Sequence, residues 1–174
     1  IRQKAGGSLV TVADTEAELQ LAADLMRLIP GSVVVGEEAV EDDPRLLAAL
    51  EGDVPVWIID PVDGTKNYAD GNACFAVIVA YCVAGKTIGG WIHDPVQDQF
   101  VSALAGQGAW TRDRRLHIKP AADIARMNGT VGPKLRSHLQ ARESAGEGGI
   151  PTVVPRYGCI GQEYLDLARG KLDF

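Results

Sequence analysis

Trp57-Ile58-Ile59-Asp60-Pro61-Val62-Asp63-Gly64-Thr65-Lys66-Asn67-Tyr68 sets two carboxylates three residues apart at the end of an apolar run. The run, residues 54–60, reads as a buried strand: it is short, β-branched and aromatic. Two ionised carboxylates at such a strand end repel each other and lose hydration, so they need a compensating charge. A hard divalent cation supplies it, and magnesium accepts one or two carboxylates while keeping waters that phosphate oxygens can replace. Pro61 fixes its own φ and biases Asp60 toward extended backbone, so the turn can present Asp60, the Val62 carbonyl and Asp63 to one point. Gly64 and Thr65 follow where a helix or turn begins, and free N–H groups there suit an anion such as phosphate.

Upstream, Val33-Val34-Val35-Gly36-Glu37-Glu38 reads as a strand running into two glutamates. Residues 14–30 carry Leu19, Ala22, Met26 and Ile29 at helical spacing, which predicts an amphipathic helix with that stripe toward the core. Thr15 with Glu18 fits a capping box, and Pro30-Gly31 ends the helix. Residues 45–51 predict a short helix. Downstream, residues 75–84, 87–93 and 99–105 predict a meander of antiparallel strands. Residues 133–142 read as a surface helix, 141–149 as a glycine-rich loop and 152–155 as a strand. Residues 160–170 form a last helix whose spacing sets Ile160, Tyr164 and Leu167 on one face, with Tyr164 in the core. This order predicts an α+β fold of helices layered on sheets.

The chain has 174 residues, 46% of them hydrophobic, enough for a sizeable core. A formal charge of −6 argues against nucleic acid and anionic membranes as partners, although a metal ion would let an acidic protein hold an anionic substrate. Three cysteines, Cys74, Cys82 and Cys159, form no CxxC pair and read as free thiols in a reducing cytoplasm. The longest apolar stretch, residues 73–84, is too short to span a bilayer. Ile1 opens in mid-pattern and Phe174 stops on a strand-like run, so the sequence reads as cut at both ends.

The string from Trp57 to Tyr68 resembles the signature of the inositol monophosphatase family of metal-dependent, lithium-sensitive phosphatases. Gly36-Glu37-Glu38, the Thr11-to-Asp14 stretch, residues 90–110 and residues 158–174 resemble further family motifs in the same order. The resemblance implies the layered αβαβα sandwich of the sugar phosphatases. It implies one domain over 1–174, incomplete, with 1–130 an N-terminal α+β part carrying the metal motif and 131–174 the start of a C-terminal α/β part. It implies Glu37, Asp60 and Asp63 as metal ligands, with Val62 ligating through its carbonyl. Thr65 and Glu37 would position the attacking water, Gly64 and Thr65 would hold phosphate, and Asp14 would order metal-bound water. Gly158, Cys159 and Asp63 would meet the substrate, and Lys4 would line the pocket. Two or three Mg2+ ions, inhibition by Li+, a small phosphorylated polyol as substrate and a homodimer are further implications. Family members continue into a Trp-Asp motif with another metal ligand, which lies beyond Phe174. Inositol monophosphate is the leading substrate. Histidinol phosphate, fructose 1,6-bisphosphate, adenosine 3′,5′-bisphosphate and a catalytically inactive metal-binding relative are the alternatives.

Other polar residues carry less. His93 before Asp94-Pro95 reads as structural, Glu41 to Asp43 as solvated loop charge, and the basic residues 111–119 as a polar hairpin. His117 and His138 read as surface residues.

Overall fold

A computed structural model describes residues 1–3, 9–118 and 123–174. A short antiparallel pair, β1 (Arg2–Gln3) and β2 (Leu9–Val10), leads into α1 (Val12–Leu28). Then come β3 (Val33–Gly36), α2 (Glu37–Asp42), a 3-10 helix (Pro44–Glu51), β4 (Val56–Asp63) and the single turn α3 (Thr65–Ala69). The meander follows as β5 (Ala76–Val83), β6 (Lys86–Asp94), β7 (Gln99–Leu104), β8 (Gly108–Thr111) and β9 (Arg114–Arg115). A second 3-10 turn (Ile124–Arg126), β10 (Asn128–Gly129), α4 (Pro133–Ser144), β11 (Thr152–Val153) and α5 (Ile160–Ala168) complete the described chain.

Strands β3 to β9 make one seven-stranded sheet in sequence order, with β3 and β4 parallel and every other pair antiparallel. The predicted meander is therefore present. The basic segment forms the β8–β9 hairpin. β10 and β11 pair in parallel as a separate ribbon.

Strand alternation divides the sheet into two faces. Trp57 stacks against Tyr81 at 4.5 Å and Trp91 at 5.8 Å between centroids on the face that α1 covers. On the other face, a Cβ at Gly161 of α5 would stand 2.7 Å from Ala76 Cβ and 3.3 Å from Ile78 Cδ1. Helix, sheet and helix thus form three layers, as the α+β reading expects. Val56, Ile59, Ala76 and Leu165 are buried at their centre.

Two helices turn differently from their apolar patterns. In α1 half of the predicted core stripe faces outward: Leu19 is 66% exposed and Met26 44%, Ala22 and Ile29 are half-buried, and Asp14 and Glu18 are buried. The predicted Thr15–Glu18 capping box is replaced by Thr11–Asp14, one turn earlier, where the Asp14 carboxylate accepts from both N and Oγ1 of Thr11. In α5, Tyr164 is 52% exposed instead of core, and Gly161, Gln162 and Leu165 face inward. Close approach to β5 selects a small residue at 161, a preference that apolar periodicity does not register. Leu165 is 0% exposed, so Leu165→Ala is expected to cost about 2–5 kcal/mol, read from urea unfolding.

Candidate functional site

The register between β3 and β4 is the first fact of the site. Gly36 pairs with Ile59, so the next residue on each chain, Glu37 and Asp60, stand side by side. Their side chains are hydrogen-bonded to each other. Asp60 in turn pairs with Ile78, but the next pairing is Asp63 with Ala76. Three steps on β4 thus match two on β5, which is a β-bulge. On a regular strand, residues three apart point to opposite faces; the extra residue brings Asp60 and Asp63 onto the same face, the one α5 covers. Pro61 has no N–H to give to a ladder, and a bulge is where a strand tolerates proline.

This arrangement crowds negative charge. Burial first, then the carboxylates of Glu37 and Asp63, pushes the Asp60 carboxyl up to about 8. Its Oδ1 is buried and has no hydrogen-bond partner. A cleft of about 660 Å³ opens beside the pair, walled by Val35, Pro44, Leu47, Ile58 and Ile78.

Asp63 is turned toward α5. Its Oδ2 accepts from Cys159 Sγ at 3.1 Å and from the Gly161 amide. Among the described residues, no three His, Cys, Asp or Glu side chains converge as a metal cage. The structure therefore brings Glu37 and Asp60 into contact and sets Asp63 nearby on the same face, engaged with α5. Hard oxygen donors, surplus negative charge and an unpartnered buried oxygen on Asp60 fit a hard divalent cation.

Thr65 stands at the start of α3, and its Oγ1 shares its one hydrogen between Asp14 Oδ1 at 3.1 Å and the Val62 carbonyl at 3.0 Å. Asp14 is 0% exposed and also caps α1 through Thr11. Gly64 precedes Thr65 with φ +93°, and a Cβ there would lie 3.0 Å from the Cys74 carbonyl and 3.1 Å from Cys159 Cβ. Both the backbone sign and the space select glycine.

Gly158 and Cys159 lead into α5 beside this turn. Cys159 is 1% exposed, caps α5 by accepting from Gln162 N, and has its thiol pushed up by burial. Asn67 ties the two segments: its Nδ2 donates to the Cys74 and Tyr157 carbonyls at 2.8 and 2.9 Å. Lys4 lies outside the described residues. All three cysteines are free thiols; Cys82 is buried in β5, whereas Cys74 is half-buried just ahead of it. His93 packs on Phe100 and lies 3.5 Å from Asp98, away from this cluster, and Asp94 closes a turn by accepting from Val96 N and Gln97 N.

Two residues of this neighbourhood escape a reading of the sequence. Glu163, 3% exposed, accepts from Tyr157 N at 2.9 Å and Thr130 Oγ1 at 3.0 Å, and so braces the segment that carries Gly158. Glu18, one turn after Asp14 on α1, accepts from Glu38 N at 2.8 Å and Ala39 N at 2.9 Å. The only local signal for it is the i, i+4 spacing from Asp14, which sets both acids on one helix face.

The family model described as "Inositol monophosphatase family" matches residues 2–174. The chain is 32% identical over 171 residues to the inositol-1-monophosphatase SuhB of Mycobacterium tuberculosis, covering 94% of this chain and 58% of that protein. It is 29% identical over 177 residues to the Nus factor SuhB of Pasteurella multocida, covering 98% and 63%. Among solved structures, an IMPase of Thermotoga maritima superposes with a TM-score of 0.78 at 23% identity, over 97% of this chain and 63% of that one. The chain spans roughly three-fifths of the length of these relatives.

Proposed function

Because the chain belongs to the inositol monophosphatase family, we propose that the protein hydrolyses a small phosphate monoester with divalent cations, inositol monophosphate being the leading substrate. The observation that carries this reading is the Glu37–Asp60 pair beside Asp63, in which the half-buried Asp60 has a raised carboxyl and an unpartnered oxygen. No covalent or hydrophobic role explains two acids forced together there. Glu37, Asp60, Asp63 and the Val62 carbonyl would hold two or three magnesium ions, with lithium inhibitory. The ions supply Lewis-acid activation of water and neutralise charge on the phosphate and leaving oxygens.

The chain's own residues have separate tasks. The Thr65 hydroxyl donates its one hydrogen toward Asp14 Oδ1 and the Val62 carbonyl, which leaves its lone pairs to accept a hydrogen bond from the attacking water. Glu37 accepts the other hydrogen of that water. Gly64 and Thr65 offer amide N–H groups to the phosphate. Gly158, Cys159 and Asp63 would meet the hydroxylated part of the substrate, and Lys4 would join them. Phosphoryl transfer needs positioning and charge neutralisation above all, and these residues are placed for both.

The relative named inositol-1-monophosphatase supports the substrate choice. A second relative is named a Nus factor, but a net charge of −6 favours a small phosphorylated partner held through metal over nucleic acid. No described helix is long and apolar enough to cross a membrane. A cytoplasmic homodimer completes the proposal. The test is phosphate release from inositol monophosphate, histidinol phosphate, fructose 1,6-bisphosphate and adenosine 3′,5′-bisphosphate, each with magnesium titrated. Inositol monophosphate is expected to show the highest kcat/KM, and lithium to lower it. No turnover on any of the four would overturn the reading.

A further inference from the structure

Helix α1 is an inverted amphipathic helix: Val12 and Leu19 are 67% and 66% exposed, while two acids one turn apart, Asp14 and Glu18, are 0% and 8% exposed. Burying a carboxylate is costly unless it is hydrogen-bonded. Both acids are. Asp14 reaches across to Thr65, at the start of α3. Glu18 reaches across to the opening of α2, where its two oxygens each accept one backbone N–H, from Glu38 at 2.8 Å and from Ala39 at 2.9 Å. These are the amides that immediately follow Glu37. One helix face therefore grips both flanks of the acidic pair.

Gly36 supplies an independent observation. A Cβ at this position would stand 2.2 Å from Glu18 Cδ, 2.4 Å from Oε2 and 2.5 Å from Oε1. The Glu18 carboxylate occupies the space a side chain at 36 would fill, and its two hydrogen bonds keep it from stepping aside. The glycine of the Gly-Glu-Glu string is thus there to admit a carboxylate from α1, not to free its own backbone.

We propose that Glu18 is a positioning residue for Glu37: it fixes the first turn of α2, aims the Glu37 carboxylate at Asp60, and thereby sets the affinity of the site for divalent cations. The inference rests on the metal-dependent reading above and adds to it a residue that touches neither ion nor substrate. Replacing Glu18 by Gln keeps the volume but turns one acceptor into an NH2 donor facing a backbone N–H. Outer hydrogen-bond partners of metal ligands are worth about 10–100-fold in metal affinity.

Magnesium binding to the protein is measured by titration calorimetry, beside steady-state hydrolysis as magnesium is varied. Glu18→Gln is expected to weaken magnesium binding at least tenfold and to raise the half-activating magnesium concentration by the same factor, with kcat at saturation changed less than threefold. Gly36→Ala is expected to reproduce this, because its methyl displaces the same carboxylate. Leu139→Ala, a buried position on α4, controls for loss of stability and is expected to leave magnesium affinity unchanged. A parent that binds magnesium, with a folded Glu18→Gln that binds it equally well, overturns the inference and leaves the phosphatase reading standing. Equal weakening by Leu139→Ala also overturns it. A parent that binds no magnesium overturns both.

Discussion

Asp60→Asn is expected to abolish phosphate monoester hydrolysis, lowering kcat by about 1,000-fold or more, while making the metal-free protein more heat-stable in mild alkali. The first effect follows from removing a charge from the proposed cation site: metal ions contribute several kcal/mol of transition-state stabilisation, and each 1.36 kcal/mol is a factor of ten. The second follows from what Asp60 suffers without a cation. Burial, then Glu37 and Asp63, push its carboxyl in the folded protein up to about 8, against an ordinary value of 3.8. Between those values the folded state keeps a proton that the unfolded state has lost, so this group's contribution to stability falls as pH rises and levels off above about 8. Asparagine at 60 carries no charge and escapes that loss. Melting curves in a chelator are expected to show the advantage of Asp60→Asn growing from pH 5 to pH 8.5. A variant that hydrolyses substrate at the parent's rate, or an advantage that shrinks with pH, would contradict this account of the pair.

Gly161→Val is expected to act on fold and site together. A side chain at 161 meets Ala76 Cβ at 2.7 Å, Asp63 Oδ2 at 3.1 Å and Ile78 Cδ1 at 3.3 Å, so α5 must lift from β5. Overpacking of this kind costs about 1–3 kcal/mol, and for a chain of this size each kcal/mol moves Tm by about 2–4 °C. The same displacement removes the Gly161 amide and the Cys159 thiol from Asp63. Misplacing a reacting group by about 1 Å can cost 100-fold in rate, and a loss of that order in kcat is expected here. Ala at 161 is expected to fall between the two, since only one carbon must be accommodated. Unchanged Tm and unchanged kcat for Gly161→Val would show that α5 does not bear on Asp63.

Much of this arrangement was legible along the chain because it is local. The strand into Asp60, the meander and the turn at Gly64 each occupy a few adjacent residues, and their periods and turn residues declare them. The bulge at Pro61 was half-legible: proline marked the interruption, but only the pairing with β5 shows that it returns Asp63 to the face of Asp60. What stayed hidden is long-range. Periodicity sends Leu19 and Met26 inward, whereas α1 buries Asp14 and Glu18, because their partners are the starts of α3 and α2, far along the sequence. Periodicity likewise sends Tyr164 inward, whereas α5 presents Gly161 and Leu165, since close contact with Ala76 outweighs apolar bulk. The orientation of Asp63 toward Cys159 and Gly161 is also a tertiary fact.

The β3–β4 register also explains why the two acids meet. Glu37 and Asp60 follow directly on the last β3–β4 pair, Gly36 with Ile59, so the backbone register sets their side chains together. Their mutual cost is built into the sheet, and it is relieved by a proton or by a cation. Competition between those two is the property most open to measurement.

A crystal of the protein soaked in manganese and measured for anomalous scattering puts the question most directly. The account predicts a strong peak at the carboxylates of Glu37 and Asp60, within reach of the Val62 carbonyl and of Asp63 while α5 still holds its Oδ2. A map from well-ordered crystals with no peak there, and Asp60 still against Glu37, would contradict it.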